Sequence, residues 1–364
     1  MIEFPTTEGE VVAIEALIRL PKLEPGHRFR LEQAAYNAVK MTPQYGKRDI
    51  SRILAPGYRF RIDQLADTLR IGLTVEPKDL GSGLSVLSSV LTEPTFLPDA
   101  IKVESMPAIS PWLKAIRSFD LVPMEVDQGL LQDIWKYVIR PEAITVGVRG
   151  PIPAGRATQL WHERERFWQE YLPNKTVSGR SPKLRLDIGN PPILLFSSQV
   201  SVLEPLDIMA ATLLSGGKDT ILWKVCRESL TMSYQQDAFL IPTSSGWEFK
   251  IAIATDKRIL EEDAVNQLKS KLLTSVDQLS EADLSHAKGL LTGFFELGQP
   301  GIPIRIGNTQ LTGGDANEML FRDLYLAAKS SPPFSSSSWL AGSSLADAKK
   351  RLRSIIENSS VSFR

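Results

Sequence analysis

The residues best suited to chemistry are concentrated in one stretch of this sequence, LLSGGKDTILWKVCRESLTMSY, residues 213–234. A glycine pair, Gly216 and Gly217, opens the stretch, which then reads as a helix carrying Arg227, and Tyr234 follows seven residues later. A guanidinium and a phenol both donate hydrogen bonds, so the pair could contact a group that accepts them. A purely structural interpretation stays open, in which Arg227 is solvated, Tyr234 packs, and the glycines separate two helices.

Three other kinds of site receive little support from the sequence. The segment SGGKDT is similar to a phosphate-binding loop, but Asp219 stands where Ser or Thr is required and no strand leads directly into it. Cys226, the single cysteine, has no evident histidine partner and cannot form an intrachain disulfide. The histidines, His27, His162 and His286, lie far apart, whereas zinc sites recruit ligands close together. We therefore predict that this chain holds no metal and no cofactor.

Composition limits the class of protein. The chain has 364 residues, enough for about two domains, and Lys plus Arg and Asp plus Glu both total 42. Without a net positive charge, nothing indicates nucleic acid or an anionic membrane surface as a partner. No apolar run approaches the roughly 18 residues of a membrane span, and the N-terminus lacks the pattern of a secretory signal. Together with the single cysteine, these features predict a cytoplasmic protein.

Alternation and helical periodicity predict the elements that must position the Arg227 stretch. Residues 68–75 alternate as a half-buried strand, and leucines within 80–91 at spacings of 4, 3 and 4 form an apolar helical stripe. The same order recurs 180 residues later, with a strand at 248–255 and a helix over about 259–276. The repeat predicts an α+β protein with two similar domains, each an antiparallel or mixed sheet covered by helices on one face.

We place the two domains at residues 1–175 and 176–364. A polar segment with proline and glycine, residues 172–186, is typical of a linker between them. A second segment rich in serine and proline, residues 329–344, is typical of an exposed loop within the second domain.

Taken in order along the chain, several motifs resemble the pitrilysin/insulinase-type zinc peptidases, a family that includes mitochondrial processing peptidase. The stretch at 213–234 is similar to the family's second-domain signature, in which a glycine turn precedes a helix, an Arg and a Tyr. Three further segments resemble a first-domain stretch (87–104), the strand closing that domain (143–152) and a long second-domain helix (279–295). The resemblance covers nearly the whole chain and implies a half-clamshell of two peptidase-like domains.

The catalytic signature of that family, His-x-x-Glu-His on a helix, is missing. Its two histidines share a helical face and bind zinc, and its Glu acts as general base on the metal-bound water. Aligned by the resemblance, Glu32 and Tyr36 replace the histidines and Ala35 replaces the base. The later Glu ligand falls near Pro107 and Pro111, and proline breaks or reshapes a helix interior. The resemblance thus implies a non-catalytic member that binds no zinc.

In this family the Arg and Tyr lie across an enclosed chamber from the zinc and hydrogen-bond the carbonyls of the substrate. The resemblance implies that Arg227 and Tyr234, with the turn at Gly216 and Gly217, bind peptide substrate for an active site on a partner chain. The expected partner is a related zinc-bearing subunit in a heterodimer, or otherwise a second copy in a homodimer. The alternative is a structural or assembly protein on the same fold, with no peptidase role.

The resemblance also implies an extra pair of strands ahead of the strand predicted at residues 11–20. This chain starts almost at that strand. We therefore expect the first sheet to begin there and to have an exposed edge.

Overall fold

The computed structural model shows an α+β protein with two main sheets. It describes residues 1–65, 67–97, 124–165, 193–215, 218, 220–233, 235–243, 246–255, 262–297, 305–306, 309–310, 316–328, 340 and 342–363. Within these ranges no helix is both long enough and apolar enough to cross a membrane. The predicted linker, the boundary between residues 175 and 176, Pro107, Pro111 and most of the serine-rich segment lie outside them, so the domain boundary stays a prediction.

The chain folds into two compact units. The strands of the first unit are β1 (Ile2–Pro5), β2 (Val12–Arg19), β3 (Arg61–Gln64), β4 (Thr68–Val75) and β5 (Ile144–Gly150). Its helices are α1 (Pro25–Ala38), α2 (Lys47–Ile53), α3 (Leu80–Thr92), α4 (Gln128–Val138), α5 (Arg156–Glu165) and, from late in the chain, α9 (Ala316–Ala328). The strands of the second unit are β6 (Ile193–Val200), β7 (Gln236–Thr243), β8 (Gly246–Ala254), β9 (Arg305–Ile306), β10 (Thr309–Gln310) and β11 (Ser360–Phe363). Its helices are α6 (Pro205–Ser215), a π-helix (Trp223–Ser229), α7 (Glu262–Asp277), α8 (Glu281–Leu297) and α10 (Leu345–Glu357).

The two main sheets repeat one strand order. The first sheet runs β1-β5-β2-β4-β3, with β1 parallel to β5 and the other pairs antiparallel. The second sheet runs β11-β6-β8-β7 and is antiparallel throughout. If β1 is set aside and the strands of each main sheet are numbered in chain order, both sheets have the order fourth, first, third, second. This confirms the predicted α+β class with two similar domains.

The predicted central elements are confirmed, whereas the expected start of the first sheet is wrong. Strand β4 occupies residues 68–75, β8 contains most of the predicted second strand, and α3 and α7 follow them. A short strand, β1, precedes β2 and pairs in parallel with β5, so the sheet does not begin at β2. At four residues, β1 is too short to show the alternation by which a strand is recognised in sequence.

Alternation along β2 and β4 gives the first sheet an apolar face that packs against helices. Ile14 and Val75 lie on this face and are fully buried. A Cβ added at Gly83 of α3 would lie within 2.9 Å of both side chains, so glycine lets the helix approach the sheet closely. Trp135 of α4 donates a hydrogen bond from its indole N–H to the carbonyl of Leu91 at 3.0 Å, which ties α4 to the end of α3.

The opposite face of this sheet carries a buried group of charges, the Arg70 cluster, formed by Arg70, Glu15, Asp63 and Glu318. Arg70 on β4 donates from Nη2 and Nε to the two carboxylate oxygens of Glu15 on β2, at 2.7 and 3.1 Å. Its Nη1 lies 3.1 Å from Asp63 and 3.5 Å from Glu318, and its Cζ lies 4.1 Å from the ring centroid of Phe321. Burial raises the pKa of the Glu15 carboxyl, and the bidentate Arg70 guanidinium opposes that shift. The pair has no access to solvent, so each charge depends on the other.

Helix α9 covers the Arg70 cluster although it lies more than 240 residues farther along the chain. Glu318, near its start, contacts Arg70 directly. One turn later, Asp323 accepts a hydrogen bond from Arg149 of β5 at 2.9 Å. A Cβ added at Gly147 would lie 2.9 Å from Leu324, so the absence of a side chain on β5 makes room for the helix. Ion pairs and shape together fix α9 on the sheet.

The second sheet repeats the buried cation of the first. Lys250 on β8 lies 180 residues after Arg70, at the matching position of the duplicated strand, and is 2% exposed. Its Nζ lies 3.3 Å from the carboxylate of Glu248 on the same strand. The duplication therefore includes a buried cation on an inner strand of each main sheet.

Gly72 offers a direct test of the Arg70 cluster. It pairs with Glu15 in the β2–β4 register, and a Cβ at this position would overlap the Glu15 carboxylate. We expect Gly72→Ala to lower the free energy of unfolding by about 1–3 kcal/mol, because the carboxylate must move away from Arg70. Urea denaturation monitored by circular dichroism measures this change.

Gly81→Ala is the matched control for that experiment. Gly81 lies in α3 of the same unit, and a Cβ added there meets nothing within 4 Å. Alanine in a helix is favoured over glycine, so this variant should be neutral or more stable by up to about 1 kcal/mol. Equal destabilisation by both variants would contradict the assigned role of Gly72.

Cys226 provides a test of the packing in the second unit. Its side chain is fully buried on the π-helix, and burial raises the pKa of the thiol to about 12. We expect the folded protein at about pH 8 to resist iodoacetamide, whereas the urea-unfolded chain, with a thiol pKa of about 8.5, reacts. The pKa of this thiol is higher in the folded protein than in the unfolded chain. The contribution of the neutral thiol to stability is therefore fully present below about pH 8.5 and is lost as the pH rises toward 12. Mass spectrometry follows the labelling, and rapid modification of the native protein would rule out this packing.

Candidate functional site

Helix α1 carries the three positions at which the resemblance places the lost metal signature. Ala35 is fully buried and belongs to the apolar core of the first unit. Glu32, one turn earlier, is 9% exposed, and Tyr36 is partly exposed. The helix packs against β3 and α4, so these three positions belong to a helix with tertiary contacts inside the first unit.

These side chains do not fit a catalytic zinc. Zinc takes imidazole, thiolate or carboxylate donors, and of the three only Glu32 provides one. The methyl group of Ala35 cannot act as a base on a metal-bound water. Nowhere in the described part of the chain are three or more His, Cys, Asp or Glu side chains grouped so that they could hold a metal ion. Pro107 and Pro111, near the expected position of the later ligand, lie outside the described residues.

Arg227 lies on the π-helix of the second unit and stacks on Trp223. The widened helical turn is visible where the N–H of Leu230 donates to the carbonyl of Val225, five residues earlier, at 3.0 Å. The Cζ atom of Arg227 lies 4.2 Å from the centroid of the Trp223 ring. A cation over an indole face is attracted by the ring quadrupole, so the contact holds the guanidinium in place. Sequence analysis missed Trp223, although its spacing of four residues from Arg227 is the signal for such a pair.

The chain after the π-helix is fixed by its backbone geometry. Thr231 has a φ of 48°, a left-handed conformation that β-branched residues rarely adopt. The next N–H, of Met232, donates to the carbonyl of Cys226 at 2.9 Å. The hydroxyl of Ser233 donates to the carbonyl of Gln235 at 2.9 Å and accepts from the N–H of Gln235 at 3.1 Å. A strained residue such as Thr231 persists where surrounding contacts impose its conformation. The hydrogen bonds between Ser233 and Gln235 hold the two neighbours of position 234 in place.

Of the four predicted substrate-binding residues, only Arg227 lies in the described part of the chain. Gly216, Gly217 and Tyr234 lie outside it. The distance between the Arg227 guanidinium and the Tyr234 hydroxyl, and the shape of the glycine turn, therefore stay predictions. What the structure establishes is an arginine in contact with a tryptophan ring, in a hydrogen-bonded segment of the second unit.

Comparison with solved structures identifies the fold. A protease from Helicobacter pylori superposes with a TM-score of 0.67 at 11% identity, covering 99% of this chain and 95% of that one. An inactive domain of a peptidase M16 from Pseudomonas fluorescens superposes with a TM-score of 0.65 at 12% identity, covering 99% and 94%. The first half of the periplasmic protease PqqL from Escherichia coli gives 0.62 at 12% identity, covering 98% and 87%.

Sequence comparison adds no closer relative. No protein-family model matches the chain, and a search of curated proteins finds no match. At identities near one residue in nine, the structural likeness establishes the fold and not the activity. The chain thus has the two-domain α+β fold of M16 peptidase-like proteins, the group that the sequence motifs resemble.

Proposed function

We propose that this chain is a non-catalytic, peptidase-like subunit that supplies Arg227 and Tyr234 as substrate-binding groups to a zinc active site on a partner chain. The observation that carries the proposal is the residue content of α1. The peptidase-like fold is retained, but Glu32, Ala35 and Tyr36 stand where two metal ligands and a base are needed. A chain without that base cannot activate a zinc-bound water by itself. The binding groups of the second unit are then useful only to another chain.

The geometry of Arg227 suits a role in substrate binding. The Cζ atom of Arg227 lies 4.2 Å from the centroid of the Trp223 ring, and this contact holds the guanidinium near the ring. A guanidinium carries several N–H donors in one plane, a geometry suited to binding carbonyl oxygens. A peptide carbonyl oxygen gains negative charge when a zinc-bound hydroxide attacks it. A donor that is already held in position stabilises that charge without reorganising. Gly216 and Gly217 would let a substrate backbone pass close to the chain.

The expected partner is a related zinc-bearing subunit in a heterodimer, with a homodimer as the alternative, and the expected substrate is a peptide. Among the neighbours are an inactive domain and one half of a larger protease, which supports a fold that works as one part of a peptidase. We place the assembly in the cytoplasm, where a chain with one unpaired cysteine is usual.

Co-expression with a neighbouring gene that encodes a His-x-x-Glu-His chain tests this function. The chain alone should cleave no peptide, and the purified complex should cleave peptides. In the complex, Arg227→Ala and Tyr234→Phe should each lower kcat by about 10²–10³, with zinc content and assembly unchanged. Arg227→Lys should restore activity only in part, because an ammonium lacks the planar fork of donors.

Arg353→Ala is the control for these variants. Arg353 also belongs to the second unit, but its Nε lies 3.1 Å from Asp277 on the exposed surface. Its replacement should leave turnover unchanged and shift stability by at most about 0.5 kcal/mol. Normal turnover in both Arg227→Ala and Tyr234→Phe would refute substrate binding and favour the structural or assembly role. Peptide cleavage by the isolated chain with stoichiometric zinc would refute the non-catalytic assignment.

A further inference from the structure

A groove of about 630 Å³ opens within the second unit, between α6, the π-helix and the helices α7 and α8. Small-molecule sites in proteins usually enclose about 300–1,000 Å³, so the groove has the size of a ligand site. Its floor is apolar and consists of buried side chains. These are Leu213, Ile221, Val225, Leu279 and Ala287.

The walls of the groove are basic. Lys218 precedes the π-helix, Lys224 lies on it, Lys271 lies on α7 and His286 lies on α8, and all four line the groove. Among the lining residues that the structure describes, Asp283 is the acidic one. Because Lys plus Arg and Asp plus Glu are equal in number over the whole chain, this positive excess is local to the groove.

The carboxylate of Asp283 already has a structural role. Asp283 accepts hydrogen bonds from the N–H of Ser280 at 2.8 Å and from its hydroxyl at 2.6 Å, at the start of α8. These hydrogen bonds lower the pKa of Asp283, and the nearby Lys224 ammonium lowers it further. Asp283 is therefore ionised, and its single charge offsets only one of the lysines.

The lysine charges are otherwise not compensated within the described part of the chain. Lys271 donates to the hydroxyl of Ser229 at 2.6 Å, a neutral acceptor that leaves its charge in place. An ammonium has three N–H donors, so one such bond still allows contacts with a ligand. Positive walls around an apolar floor match a ligand that is both anionic and partly apolar.

We propose that this groove binds a small organic anion, whose phosphate or carboxylate contacts Lys218, Lys224 and Lys271 while its apolar body lies on the floor. Lys218, from the SGGKDT segment, thus belongs to the proposed site. Arg227 and Trp223 are not among the lining residues, so this site goes beyond the proposed peptidase-like role and does not depend on it.

Isothermal titration calorimetry of the purified chain with three probes tests the inference. Phenyl phosphate and benzoate combine an apolar ring with one or the other anionic group, and inorganic phosphate has the charge alone. We expect at least one ring-bearing probe to bind with a Kd at or below about 1 mM, about tenfold more tightly than inorganic phosphate. The affinity should fall as sodium chloride is added, because salt screens the lysine charges.

Variants of α7 separate this site from general surface charge. Lys271→Ala should weaken binding of the ring-bearing probe by about tenfold, the effect of losing one charged hydrogen bond. Lys269→Ala is the matched control, because its Nζ donates to the carbonyl of Glu357 at 3.2 Å and does not line the groove. Ala282→Phe, at the exposed start of α8, should fill the groove and abolish binding in a folded protein.

Several results would overturn the inference. These are no saturable binding of any probe, equal losses in Lys269→Ala and Lys271→Ala, or full binding in Ala282→Phe. A glutamate-rich peptide that binds in a Lys271-dependent manner, where the small probes do not bind, would assign the groove to an acidic polypeptide and would also overturn it. None of these measurements requires a partner chain, so their failure is distinct from failure of the peptidase-like role.

Discussion

The Arg70 guanidinium has no access to water, and the first unit is organised around the need to compensate its charge. An ion removed from water costs several kcal/mol unless partners of opposite charge lie close to it. Glu15 of β2 and Asp63 of β3 supply two such partners from the neighbouring strands. Because a register slip of one residue would turn these carboxylates to the other face of the sheet, the cluster also fixes the register of three strands.

The third carboxylate, Glu318, extends this constraint to a distant part of the chain. In sequence, helix α9 comes after strands β6, β7 and β8 of the second unit. Its side chains nevertheless pack in the first unit. Without α9, Arg70 would lose Glu318 and the ring of Phe321, and the polar face of the sheet would be open. The first unit is therefore not a contiguous segment of the chain, although the duplicated strand order would suggest two consecutive modules.

Helix α1 belongs to the first unit, and its Ala35 lies in the apolar core. A methyl group at that position offers no ligand to a metal ion. The stretch after α6 carries Arg227, which contacts the Trp223 ring, and Lys224 and Val225, which line the basic groove. These are the two features to which we assign binding roles.

The sequence by itself determined what depends on residue identity and on local periodicity. The alternation in β4 and β8, the repeat of the same pattern 180 residues later and the absence of a His-x-x-Glu-His motif are all local facts. The fold class and the missing metal signature follow from them. The four-residue spacing of Trp223 and Arg227 is equally local.

Only the tertiary structure decided which distant residues meet. Helix α9 contacts Arg70, and Lys271 and His286 line a groove beside the π-helix. No periodic pattern in the sequence links these segments. The left-handed conformation of Thr231 likewise opposes its own backbone preference and persists because surrounding hydrogen bonds impose it. The short-range sequence pattern predicts helices and strands. The compensation of the buried Arg70 charge and the grouping of lysines around the groove depend on contacts between residues far apart in the chain.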